Sequence, residues 1–221
     1  VIHTLIFQYP TSFLILTIVL MNAGEKLNDS VNTTSAWSPL RIPVFRMLWM
    51  ATLASNIGTW MHDIGASWLM TSLSPTPVMV ALIQTATTLP IFLLAMPAGA
   101  LADIIDRRRY LIVVQLWLAL VAGLLGFLTL TGITSAWSLI ALTFAMGIGS
   151  AMMMPAWAAI TPELVPRAEL QSAIALNGLG INVARAIGPA LAGVIISFSG
   201  PGAVFVLNAL SYLLVIIALI R

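Results

Sequence analysis

From residue 44 onward the chain alternates long apolar runs with short polar breaks. The runs cover about 44–73, 78–102, 110–130, 137–160, 173–197 and 202–220. A bilayer core takes about 20 helical residues to cross, so the pattern predicts six membrane-spanning helices. The breaks alternate in character. Those at 74–77, 131–136 and 198–201 carry no charge, whereas 103–109 holds Arg107, Arg108 and Arg109 and 161–172 holds Arg167. Lys26, Arg41 and Arg46 lie before or at the start of the first run, and Arg221 follows the last. Basic residues in short loops mark the cytoplasmic side. The predicted topology therefore places the start of helix 1 and the end of helix 6 on the cytoplasmic side of a multi-pass protein of the cell membrane.

Composition sharpens this picture. Of 221 residues, 60% are hydrophobic and 7% charged, against about 25% charged in soluble domains. The absence of cysteine excludes disulfides, thiolate metal sites and cysteine nucleophiles. His3 and His62 lie far apart and suggest no metal cluster. ATP-driven transport lacks its Gly-x-x-x-x-Gly-Lys-[Ser/Thr] loop. An intramembrane serine protease built on Ser150 in "GIGSA" lacks a second catalytic group. The expectation is no enzyme, no cofactor, no metal and no nucleic-acid partner. The expected partners are the lipid bilayer and a small-molecule substrate.

Residues 1–40 are a segment of different standing. An apolar run at 1–20 lacks the basic start and small-residue cleavage site of a signal peptide. The preferred expectation is upstream translation before a natural start at Met21, then a polar leader; the alternative is a seventh span. Asn28 and Asn32 fit glycosylation sequons, which a cytoplasmic leader makes meaningless.

Charge inside the spans is rare enough to be informative. Span 1 carries Ser55, Thr59, Asp63, Ser67 and Thr71 at a spacing of four, widened by Asn56 and His62. Such a stripe faces protein or water, and a carboxylate there costs about 2.5–3.5 kcal/mol on insertion scales. Asp63 is therefore the candidate transport or proton-coupling residue, with His62 beside it. Arg185 in span 5 is the other charge deep in a span, and a pair with Asp63 would lower the cost of both. Span 5 also carries Gly180, Ala184, Gly188 and Ala192 at helical spacing, a seam for close helix approach. Span 4 offers Gly147, Gly149, Pro155 and Met152–Met154, a deformable and adaptable surface. Span 3 is nearly free of polar residues and is expected to face lipid.

The break between spans 2 and 3 reads "GALADIIDRRRYL". It resembles the signature loop of the major facilitator superfamily, Gly-x-Leu-Ala-Asp-x-x-Gly-Arg-Arg. Gly99, Leu101, Ala102, Asp103, Arg107 and Arg108 match, while Asp106 stands in place of a glycine. With "PAWAAITPELVPRAELQSAIALN" (155–177) and "RAIGPALAG" (185–193), the stretch is similar to the branch of enterobactin exporters and related drug exporters. Gly188, Pro189 and Gly193 partly match the end of the family's antiporter motif.

The resemblance implies an all-α membrane fold. Residues 41–221 would form one six-helix half of a transporter, made of two inverted three-helix repeats and completed by a C-terminal half or a second copy. It implies a proton-coupled exporter of small molecules such as drugs or siderophores. It further implies a cytoplasmic gate formed by Gly99, Asp103, Arg107 and Arg108, with Glu163 as a partner. The alternative reading is a non-transporting six-span scaffold or a degenerate half-transporter.

Overall fold

In the computed structural model the chain divides into two units, Val1–Ser35 and Ala36–Arg221. The described residues are 35–74 and 76–221, without the side chain of Asp103. The Met21 start, the 1–20 run and the two sequons lie outside them.

The second unit is all helix. After a 3-10 turn at Ser38–Arg41 come α1 (Pro43–Leu73), α2 (Pro77–Ile104), α3 (Arg107–Leu130) and α4 (Ala136–Leu164). A second 3-10 turn, Arg167–Glu169, leads into α5 (Leu170–Ile220). The starts follow from local chemistry. Pro43 and Pro77 open α1 and α2, where a missing N–H is harmless. Ser135 and Ser138 form a capping box on α4. Asp106 caps α3 by accepting the Arg109 backbone N–H at 2.9 Å, which accounts for an acid where the family pattern has glycine.

Five long helices thus stand where six spans are expected, because spans 5 and 6 belong to one 51-residue element. As a straight rod it would reach about 76 Å. It breaks at Gly200, whose φ of 75° and ψ of 172° are non-helical and accessible to glycine at little cost. The 170–199 and 201–220 arms flank α1. A Cβ on Gly188 of the first arm would sit 2.5 Å from Trp60 Cβ; one on Gly58 of α1 would sit 2.7 Å from Asn208 Oδ1 of the second arm. The small-residue stripe is therefore the seam with α1, and Gly180, Ala184, Gly188 and Ala192 are all buried in it.

Among the described residues four helical stretches are long and apolar enough to cross a membrane: Pro77–Ala102, Arg107–Leu130, Ala136–Leu164 and Arg167–Ile220. The first helix is not among them. Its polar stripe lowers its hydropathy and faces the interior.

Span 3 corrects an expectation. Half of the most apolar stretch of α3 is buried, against 17% for α2. Leu111, Leu118, Ala122 and Leu125 of α3 are fully buried, and Trp117 Nε1 donates to the Ala145 carbonyl of α4 at 2.8 Å. Gly126 of α3 lies against Val206 of the second α5 arm. The reason is that lipid tails are as apolar as leucine. An apolar helix surface therefore suits the bundle interior as well as lipid.

Candidate functional site

A cavity of about 420 Å³ lies among α1, α2, α4 and the first arm of α5, with one contribution from α3. The 3.6-residue helical period puts Ser55, Asn56, Thr59, His62 and Asp63 of α1 on its polar wall. Met146, Met153, Met154 and Trp157 of α4 make the apolar wall opposite. The lining stops at His62–Asp63 on α1, Thr87 on α2 and Thr143 on α4. One turn beyond each, Ala66, Ile83 and Leu139 join Leu69, Met70, Leu125 and Phe205 in a buried apolar cluster. That cluster closes the cavity at the end nearer the α1–α2 and α3–α4 connections.

The polar wall is ordered by hydrogen bonds. Thr59 Oγ1 donates to the Ser55 carbonyl at 3.0 Å and lies 3.1 Å from the Tyr212 hydroxyl. Ser67 donates to the Asp63 carbonyl at 2.9 Å. Asp63 is half-buried and, among the described residues, is the one charged side chain lining the cavity. His62 is 2% exposed; its ring lies 4.7 Å from that of Phe205, and both ring nitrogens lack hydrogen-bond partners.

Arg185 does not meet Asp63. Its guanidinium carbon lies 5.2 Å from the centroid of the Trp60 ring, and Arg185 is exposed and off the cavity wall. The seam puts Gly188 against Trp60, so Arg185, one turn earlier, reaches the indole, and the aromatic face provides an alternative partner for the cation.

At the α2–α3 connection, Arg107 donates to Glu163 Oε1 and to the Ala159 carbonyl at 3.3 Å. This is the one ion pair among the described residues. Arg108 has other partners: it donates from Nε to the Leu219 carbonyl and from Nη2 to the Ile220 carbonyl, which ties the start of α3 to the second arm of α5. A Cβ on Gly99 would meet nothing within 4 Å, and the same holds for Gly193. Asp103 lies in the last turn of α2, its side chain outside the described residues. Pro189 follows Gly188 inside the first arm of α5.

Sequence reasoning missed Gln115 and Thr143. Both line the cavity and are buried, with Gln115 Oε1 and Thr143 Oγ1 unpartnered. A signal existed for Gln115: it is the one amide in the apolar body of span 3, and Gln115 Nε2 reaches Met153 Sδ at 3.3 Å. It also missed Tyr212 and Asn208, which sit with Ser211 at helical spacing in span 6.

The transmembrane secretion effector family matches residues 34–221. The staphyloferrin A transporter of Staphylococcus aureus is 30% identical over 73% of this chain and 41% of its own length. The uncharacterized MFS-type transporter YfiS of Bacillus subtilis is 27% identical over 72% of the chain and 37% of its own length. MdtD of Salmonella paratyphi B, named for multidrug resistance, is 25% identical over 73% of the chain and 34% of its own length. The chain thus spans well under half of the curated relatives it matches. No solved structure matches it. An all-helical bundle around an amphipathic cavity, the signature loop and a family match over most of the chain agree: the chain belongs to the transmembrane secretion effector family of major facilitator transporters.

Proposed function

We propose that this chain is the N-terminal half of a proton-coupled exporter, with Asp63 as its coupling group. The observation that carries the reading is Asp63 itself, a carboxylate on the wall of a sizeable cavity with no ion-pair partner among the described residues. An unpaired acid at that depth is expensive, and it is well placed to exchange a proton as substrate enters and leaves. The Trp and Met residues facing it suit apolar molecules of varied shape.

In this reading residues 41–221 span six times, as α1–α3 and an inverted triplet of α4 and the two α5 arms, with the start of α1 and the last residues of the second α5 arm cytoplasmic. Arg107 and Glu163, with Asp103, form the cytoplasmic latch, and His62 serves the cavity beside Asp63. A second half, or a second copy, covers exposed apolar surface such as Phe92 and Met96 on α2 and Phe198 on α5.

Ethidium efflux from cells expressing the full-length protein tests the coupling. Efflux should collapse with a protonophore and in Asp63→Asn. Undiminished uphill efflux by a well-inserted Asp63→Asn protein sinks the coupling assignment. Single cysteines test the topology: Ile133→Cys should react with an impermeant thiol reagent outside intact cells and Ile105→Cys should not, and the reverse pattern overturns it.

A further inference from the structure

Behind the cavity wall lies a buried polar chain that the transport reading does not use. Asn208 is 0% exposed and Tyr212 1%, both on the second arm of α5. One assignment of protons satisfies every contact in it. Thr59 has one hydroxyl proton and gives it to the Ser55 carbonyl at 3.0 Å. At the 3.1 Å contact Tyr212 must then be the donor and Thr59 Oγ1 the acceptor. With its own proton committed, the Tyr212 oxygen accepts from Asn208 Nδ2 at 3.4 Å. Asn208 Oδ1 in turn accepts from Ser211 at 3.3 Å, a proton shared with the Asn208 carbonyl at 2.7 Å.

The backbone is shaped around this chain. A Cβ on Gly58 would fall 2.7 Å from Asn208 Oδ1 and 2.8 Å from Ser211 Oγ. Only a glycine beside Thr59 lets α1 approach closely enough for the bond to form. The run passes through Thr59 to the Ser55 carbonyl, and Thr59 stands one turn before Asp63 on the same cavity-lining stripe. The turn after Asp63 carries its own bond, from Ser67 to the Asp63 carbonyl.

We infer that Tyr212 is a positioning residue: by donating to Thr59 it holds the α1 turn so that the Asp63 carboxyl points into the cavity. The inference rests on the reading of Asp63 as a proton-exchanging group. The bond ties the last helical arm to the cavity wall, so movement of that arm changes how Asp63 is presented.

The test needs no known substrate. Dicyclohexylcarbodiimide reacts with a protonated carboxyl in an apolar setting, and mass spectrometry of the full-length protein in membranes reads its addition at Asp63. In the wild type Asp63 is labelled, and in Asp63→Asn the adduct on that peptide is absent. Tyr212→Phe and Thr59→Val should each slow labelling, by roughly fivefold if one hydrogen bond of ordinary strength is lost. The double variant should be no slower than either single one, because both remove the same bond. Thr59→Ser keeps the accepting oxygen and should label like the wild type. A labelling rate unchanged or raised in Tyr212→Phe, with only the melting temperature lowered, overturns the inference and leaves a purely structural contact. Additive slowing in the double variant also overturns it. No labelling of wild-type Asp63 would instead overturn the reading of Asp63 beneath it.

Discussion

At the α2–α3 connection Asp106, Arg107 and Arg108 each have a partner in the structure, whereas Asp63 faces the cavity without an ion pair. In the loop, one charge caps a helix start, one pairs with Glu163 and one bonds two carbonyls of the second α5 arm. All of this happens near the ends of helices, where solvation is cheap and each bond contributes modestly. In the middle of α1 the cost of a charge is much higher and no basic side chain offsets it. The difference teaches which charges stabilise the fold and which burden it. A burden carried in a cavity wall is a sign of function.

The sharpest way to break the contrast is to remove the burden. Asp63→Leu should raise the stability of the purified full-length protein by up to about 2–3 kcal/mol, the order of the insertion cost of a mid-span carboxylate, while uphill efflux disappears. Thermal melting in detergent reads the first effect and vesicle transport the second. A lower melting temperature would mean that Asp63 is held by partners the contrast denies it.

Arg108→Ala comes next. Losing its bonds to the Leu219 and Ile220 carbonyls should cost about 1–2 kcal/mol, visible as a lower melting temperature. Coupling stoichiometry should not change, because Arg108 lies off the cavity wall.

For Asp106 the two substitutions differ. Asp106→Ala should cost about 1 kcal/mol through the lost cap, whereas Asp106→Gly, the residue of the family pattern, should cost only about a few tenths. Melting curves of the two variants side by side check the ranking; equal losses would remove the capping explanation.

The smallest effect on stability belongs to Arg107→Ala. Its side chain is 36% exposed and that of Glu163 56%, and exposed pairs are worth at most about 1 kcal/mol. Transport should suffer more than melting does. The exchanged pair, Arg107→Glu with Glu163→Arg, should recover part of it in an efflux assay if the pair works as a latch.

Much of the site was legible because its signals are local. The spacing of four from Ser55 to Asp63 places the stripe on one helix face, and the spacing from Gly180 to Ala192 marks a seam. Other features depend on a neighbour's identity. Arg185 is a lone charge in the sequence, and nothing in its own segment says that Trp60 will lie beneath it. Gly99 matches a motif position, yet the structure sets no helix against it. Arg108 looks the same as Arg107 in "DRRR", and only the arrival of the second α5 arm separates their partners.

By itself the sequence determined the helical membrane character, the positions of most helix starts and the lone acid on a polar face. These follow from hydropathy, capping chemistry and the helical period, which act within a few residues along the chain. The tertiary structure alone decided that α3 is half-buried and α2 more exposed, that Asp63 has no ion-pair partner among the described residues, and that Tyr212 reaches Thr59. Lipid and protein interior are equally apolar, so hydropathy cannot rank helices by burial. Which side chains meet across 153 residues of chain, as Thr59 and Tyr212 do, depends on the glycine notches that set how closely the helices pack.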